Sequence, residues 1–129
     1  MKSKFLVLSL LSLCLVACGS KNITSTYNEK IYYQEKNQDN NSFILIGFEN
    51  DKMYWKSEQV QRTFEYTSTL NDDYVYKYEY RSYLEHCFFH FEENYTILKL
   101  KFDGSLKDYG TYNLDKENIY SLNDLKKRL

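Results

Sequence analysis

The chain predicts an all-β fold, an antiparallel up-and-down meander of about eight strands with a short C-terminal helix. Three observations carry that prediction. Aromatic residues make up 18% of the 129 residues, with 14 tyrosines and eight phenylalanines, and such side chains fit a pleated, half-buried surface. The runs that they form with Ile and Val are punctuated by Asn, Asp and Gly, the residues that turn a chain. The links are short: "END" at 49–51, "NDD" at 71–73, "EEN" at 92–94 and "DGS" at 103–105. None is long enough for the crossover that parallel strands require.

Taken in order, the strand signals fall near 30–35, 43–48, 52–58, 62–70, 74–83, 86–92, 95–102 and 108–114, with a short ninth stretch at 118–121. "GFENDKMY" at 47–54 echoes "HFEENYTI" at 90–97, as if one hairpin were used twice. In "SFILIGF", Phe43, Leu45 and Gly47 point one way and Ile44, Ile46 and Phe48 the other, so both faces are apolar and the outer one needs a cover. The chain ends in "SLNDLKKRL". There Ser121 can cap a helix, Leu122, Leu125 and Leu129 share a face, and Lys126, Lys127 and Arg128 suit the negative C-terminal end. The leucine stripe is the economical cover for the outer face of "SFILIGF", and a partner protein is the alternative.

The N-terminus reads as an address. Lys2 and Lys4 precede an apolar stretch from Phe5 to Val16, with small residues at Ala17 and Gly19, the layout of a secretory signal and shorter than the ~20 residues that span a bilayer. Leu15-Val16-Ala17-Cys18 resembles the lipobox of bacterial lipoproteins. That resemblance implies cleavage before Cys18, a diacylglycerol thioether on its sulfur and acylation of the new amino end. Two or more acyl chains give stable membrane attachment without a span. Residues 1–17 are then the signal peptide, 18–29 the lipidated cysteine and a flexible tether, and 30–129 a single barrel domain. Residues 19–29, "GSKNITSTYNE", are polar and aperiodic, with an average reach of roughly 18 Å as a flexible coil. The resemblance places the chain on a cell membrane, on the outer membrane if the host has two, since Gly19 stands where an Asp would signal inner-membrane retention.

Cleavage leaves 112 residues, enough for one core, and removes two lysines, so the formal charge passes from −1 to −3. A mild negative charge without a basic face gives no electrostatic footprint for nucleic acid. Cys14 leaves with the signal and Cys18 carries lipid. Cys87 then has no intrachain disulfide partner and reads as a buried small apolar residue, with a reactive thiol or an intermolecular bridge as the alternatives.

"LKFDGSLKDYGTYNLDKENIY", residues 100–120, has an apolar-Phe-Asp-Gly turn followed by Gly-Thr-Tyr-x-Leu and a second turn. With the strand count it is similar to the lipocalin-like, or calycin, barrels, which include small bacterial lipoproteins. The Gly-x-Trp motif of true lipocalins is missing, and the single tryptophan, Trp55, lies in the third strand instead. Closure also suits a chain with no proline, because it removes the strand edges that proline would otherwise blunt.

"DYVYKYEYRSY" is the stretch with the strongest binding signal. Alternation puts Tyr74, Tyr76, Tyr78 and Tyr80 on one face, and Val75, Lys77, Glu79 and Arg81 on the other. With the charges in water the phenols turn inward, where each hydroxyl needs a partner. They can pack as a wall with hydroxyls at the rim, line a ligand cavity with Trp55 and Phe89, or form an outward platform for sugar or protein. His86 and His90 would lie on one face of a strand roughly 13 Å apart, too far for one zinc ion. A helix over 82–91 would stack them, but the aromatic density favours a strand. No Gly-x-Ser-x-Gly, His-Glu-x-x-His, phosphate loop or paired-cysteine motif is present, so the sequence predicts no enzyme and no cofactor. The functions that it supports are a carrier or sensor of a small apolar or aromatic ligand, or a protein-interaction lipoprotein with a filled core, such as an envelope inhibitor, immunity protein or assembly accessory. The two differ in whether the barrel holds a cavity.

Overall fold

The computed structural model describes residues 26–34, 43–103 and 108–127. The signal peptide, Cys18, most of the tether, Arg128 and Leu129 lie outside the described residues. Eight antiparallel strands form a closed barrel in sequence order: β1 (Ile31–Gln34), β2 (Ile44–Glu49), β3 (Lys52–Lys56), β4 (Gln61–Leu70), β5 (Asp73–Tyr80), β6 (Tyr83–Glu92), β7 (Ile97–Phe102) and β8 (Gly110–Leu114). β8 closes on β1 through Tyr32 opposite Leu114 and Tyr33 opposite Asn113. The all-β meander barrel with a short C-terminal helix, α1 (Leu122–Lys126), is the predicted fold.

Turn chemistry sets the strand ends. Asn50 and Asn71 take left-handed conformations in the β2–β3 and β4–β5 turns, with φ of 58° at each, a region that Asn tolerates better than most residues. The β5–β6 turn puts Arg81 there instead, at φ 57°, so β5 ends at Tyr80 and β6 starts at Tyr83 rather than near 86. The stretch at 118–121 is no ninth strand. The buried Asp115 accepts the backbone N–H groups of Ile119 and Tyr120 on its two carboxylate oxygens at 3.0 and 2.8 Å, which holds these residues as a loop leading into α1.

"SFILIGF" packs on two sides. Ile46 and Phe48 are fully buried in the lumen, whereas Leu45 joins Ile31, Tyr54 and Leu125 in a second, outer cluster with Phe43 and Leu122 at its edge. The helix is seated on a glycine: a Cβ on Gly47 would come within 2.8 Å of Leu122 and 2.9 Å of Leu125. Lys126 ties the far side to Glu49 at 2.7 Å. Ser121 serves this helix through its carbonyl, which accepts from Asp124 and Leu125, and not through its hydroxyl.

Residues 26–29 revise the sequence reading of a flexible tether that runs to Glu29. They form a turn, and Tyr27 is fully buried inside the barrel. Glu29 donates its N–H to the Phe48 carbonyl, and Asn28 accepts the N–H of Asn50. The folded unit therefore begins before Lys30.

Candidate functional site

The barrel has two unlike ends. At the end where Tyr27 enters, bounded by the β2–β3, β4–β5 and β6–β7 turns, aromatic rings fill the lumen. The Tyr27 ring lies 4.7 Å from Phe48, 4.8 Å from Phe91 and 5.3 Å from Tyr74. Phe89 is 5.1 Å from Tyr76 and 5.3 Å from Phe48. The Tyr27 and Tyr76 hydroxyls share a hydrogen bond of 3.1 Å, and the Tyr32 hydroxyl donates to the Tyr95 carbonyl at 2.7 Å. The phenols of Tyr27, Tyr76 and Tyr32 thus find their partners in one another and in the backbone, without a wet lumen. Desolvation raises the hydroxyl pKa values of Tyr27, Tyr32, Tyr74 and Tyr76, and pushes Tyr112 up to about 12. Cys87 is fully buried beside Met53, with its thiol raised by the same cause, and a thiol so placed is not a nucleophile.

At the distal end, bounded by the β3–β4, β5–β6 and β7–β8 connections, the inner surface changes character. Trp55 faces Arg62 across β3 and β4, and Tyr78 faces Glu85 across β5 and β6. The Arg62 guanidinium lies 5.0 Å from the Tyr78 ring and 5.5 Å from that of Tyr83, and reaches Glu85 at 3.2 Å. The Trp55 ring meets Phe102 edge to face at 6.3 Å, and among the described residues its buried indole N–H has no hydrogen-bond partner.

The six residues singled out for ligand binding are therefore divided. Tyr74, Tyr76 and Phe89 belong to the packed half, Trp55 and Tyr78 to the distal mouth. Tyr80 does not turn inward as the alternation implied. It stands 55% exposed at the β5–β6 tip, because β5 ends there and Arg81 stacks over its ring at 5.1 Å. Tyr83 and Leu84 continue this exposed tip at 48% and 50%.

His86 and His90 both lie on β6, outside the lumen. His86 meets Asp103 at 3.1 Å, and His90 meets Asp73 at 3.0 Å and Glu92 at 3.2 Å. Tyr109 donates its hydroxyl to the second oxygen of Asp73, and that bond, with some burial, pushes the phenol up to about 12. Among the described residues no group of three or more His, Cys, Asp or Glu side chains is arranged to hold a metal ion.

Four residues of these two ends escaped the sequence reading. Arg62 shares its alternation with Phe64 and Tyr66 in "QRTFEY", a usable sign that it points inward. Glu85 and Tyr83 carry the same sign relative to Cys87 and Phe89. Tyr27 carries none, since "TSTYNE" has no periodicity. Comparison with protein-family models, curated proteins and solved structures finds no match to this chain.

Proposed function

We propose that this chain is a lipid-anchored envelope protein that binds a partner protein at the distal end of a filled barrel. The observation that carries this reading is the packed lumen. Tyr27 and the rings around it occupy the space that a carrier of apolar cargo would need, and their hydroxyls satisfy one another. Binding is then left to the outside. The distal β5–β6 tip supports that role with Tyr80, Arg81, Tyr83 and Leu84 in the open, since tyrosine and arginine are enriched where binding energy concentrates.

The anchor fits the same geometry. Nine residues lead from Cys18 to Tyr27, a reach of at most roughly 30 Å at 3.3–3.6 Å per residue. Tyr27 enters at the end opposite the tip. Lipid on Cys18 would hold the packed end near the membrane and direct the tip away from it.

Photo-crosslinking in the producing cell tests both parts. A crosslinker at Tyr80 or Leu84 is expected to give one and the same protein adduct, and a crosslinker at Leu70, exposed at the packed end, none. Cys18→Ser is expected to move the chain from the membrane to the soluble fraction. Retention of Cys18→Ser on membranes would overturn the anchor, and the absence of a distal protein adduct would overturn the partner.

A further inference from the structure

We propose that His90 is a proton-operated clamp on the β6–β7 turn, closed when its ring is protonated and open when the ring is neutral. This goes beyond the partner at the tip and depends on neither the anchor nor the partner. Both ring nitrogens of His90 meet a carboxylate, Nδ1 with Asp73 Oδ1 at 3.0 Å and Nε2 with Glu92 Oε2 at 3.2 Å. An ionised carboxylate only accepts, and a neutral imidazole has one N–H and one lone pair. The neutral ring can therefore satisfy one of these contacts and sets a lone pair against an oxygen in the other. Only the imidazolium donates to both.

The charged groups around the ring leave that role to His90. On β5, the second oxygen of Asp73 takes the Tyr109 hydroxyl, and the Tyr109 ring stands edge-on to His90 at 5.0 Å. On β7, Lys99 lies opposite His90 in register but donates to Thr111 of β8 at 2.7 Å, and Lys101 lies over the Tyr109 ring at 4.6 Å. Asp72 and Glu93 border the same surface cleft as His90 and Glu92, and as carboxylates they add acceptors. Asp73 is the firmer of the two partners, 19% exposed and held by Tyr109, against 46% for Glu92. The neutral ring thus keeps its proton on Nδ1 for Asp73 and lets Glu92 go.

Glu92 stands at the base of a strained turn. Glu93, Asn94 and Tyr95 follow it with φ of 51°, 57° and 67°, three left-handed residues in succession without a glycine. Such backbone persists only where its surroundings over-determine it. Thr96 closes the turn by donating its N–H and its hydroxyl to the Glu93 carbonyl at 3.2 and 2.8 Å, and the Tyr32 hydroxyl holds the Tyr95 carbonyl. Of these restraints the Glu92–His90 contact is the one that changes between about pH 5 and 8, the range in which histidine titrates. Histidine loses its proton as pH rises, so the clamp is closed at the acid end of that range and opens toward the alkaline end.

Hydrogen exchange of the Thr96 amide in the purified full chain tests the clamp. Corrected for intrinsic exchange, its protection is expected to fall about three- to tenfold from about pH 5 to about pH 8, the loss of one partly exposed charge-assisted hydrogen bond. Glu92→Gln offers a donor and an acceptor and so pairs with either state of the ring. It is expected to hold the protection level across the range, as is His90→Gln, which cannot titrate. His86, the other histidine of the chain, meets Asp103 through Nδ1 at 3.1 Å, and His86→Gln is expected to retain the wild-type fall. A level wild-type profile, a fall that persists in Glu92→Gln, or a fall that vanishes in His86→Gln would each overturn the proposal. Should His90→Gln fail to fold, Glu92→Gln decides alone. None of these results touches the crosslink pattern expected from Tyr80 and Leu84, so the two readings fail separately.

Discussion

Tyr27 and Tyr76 lie 49 residues apart in sequence and share one hydrogen bond at the centre of the packed half. Removing one hydroxyl strands the other in a dry site. Tyr76→Phe is therefore expected to lower stability by about 1–3 kcal/mol, whereas Tyr27→Phe with Tyr76→Phe together leaves no orphan and comes close to wild type. Urea unfolding of the two single variants and the double variant measures this coupling as a double-mutant cycle. Tyr27→Ala removes the plug itself, at about 3–5 kcal/mol by analogy with buried aromatic truncations. At this scale the sequence was partly legible. Alternation turned Tyr74, Tyr76 and Tyr78 inward correctly, because a strand obeys a period of two. Tyr80 escaped that rule when β5 ended, and Tyr27 could not be found, because its burial depends on long-range contacts with Phe48, Phe89 and Phe91 that leave no local pattern.

At the level of elements, α1 is held to the barrel by a fit between two leucines and a glycine. Any side chain at residue 47 meets Leu122 and Leu125 below 3 Å. Gly47→Ala asks two leucine ends to shift, but Gly47→Val adds a branched group against both. The valine variant is expected to cost about 1–3 kcal/mol as overpacking and to release the helix, which would appear as faster amide exchange at Leu125 and at Ile31 and Leu45 beneath it. The need for a cover was readable from the two apolar faces of "SFILIGF". The leucine spacing offered the helix as one cover and a partner protein as the other, and the structure decides for the helix, while the role of Gly47 required the register. The β5–β6 turn carries the opposite sign. Arg81 occupies a left-handed conformation that costs an ordinary residue roughly 1–2 kcal/mol, so Arg81→Gly is expected to keep or raise the melting temperature while reducing partner adducts at the tip. A tip with no binding role would gain stability and lose nothing.

Across the whole molecule, the barrel closes with no proline in the chain and with Cys87, the one described cysteine, free, and the chemistry of its tyrosine-rich lumen sets a limit at high pH. A buried phenol with a folded pKa above the unfolded value of 10.0 contributes fully below pH 10, where both states are protonated. Above that the unfolded chain ionises first, and the contribution fades as pH rises toward the folded value. For Tyr112 the window is pH 10 to about 12, and Tyr27, Tyr32 and Tyr76 act in the same direction. The contribution of these phenols is thus expected to be level below pH 10 and to fall above it, by up to about 1.4 kcal/mol per pH unit for each buried phenol. Phenolate absorbance of the buried set should appear together with loss of the fold rather than before it. The strand count and meander were legible because short links and aromatic runs are local signals. The division into a packed end and a polar mouth was not, because Arg62 and Glu85 read as ordinary surface charges until the register of β4 and β6 on the two sides of β5 brought them together.

The central claim, that the lumen is solid and binding belongs to the distal end, is tested most directly by the Tyr27 and Tyr76 hydroxyl protons. Nuclear magnetic resonance of the chain with labelled tyrosine rings can compare their exchange with that of the exposed Tyr80 hydroxyl. A solid lumen predicts two slowly exchanging hydroxyl protons, coupled to each other and lost together in Tyr27→Ala. Exchange as fast as that of Tyr80 would mean that water or cargo reaches the centre of the barrel, and would return the carrier reading to first place.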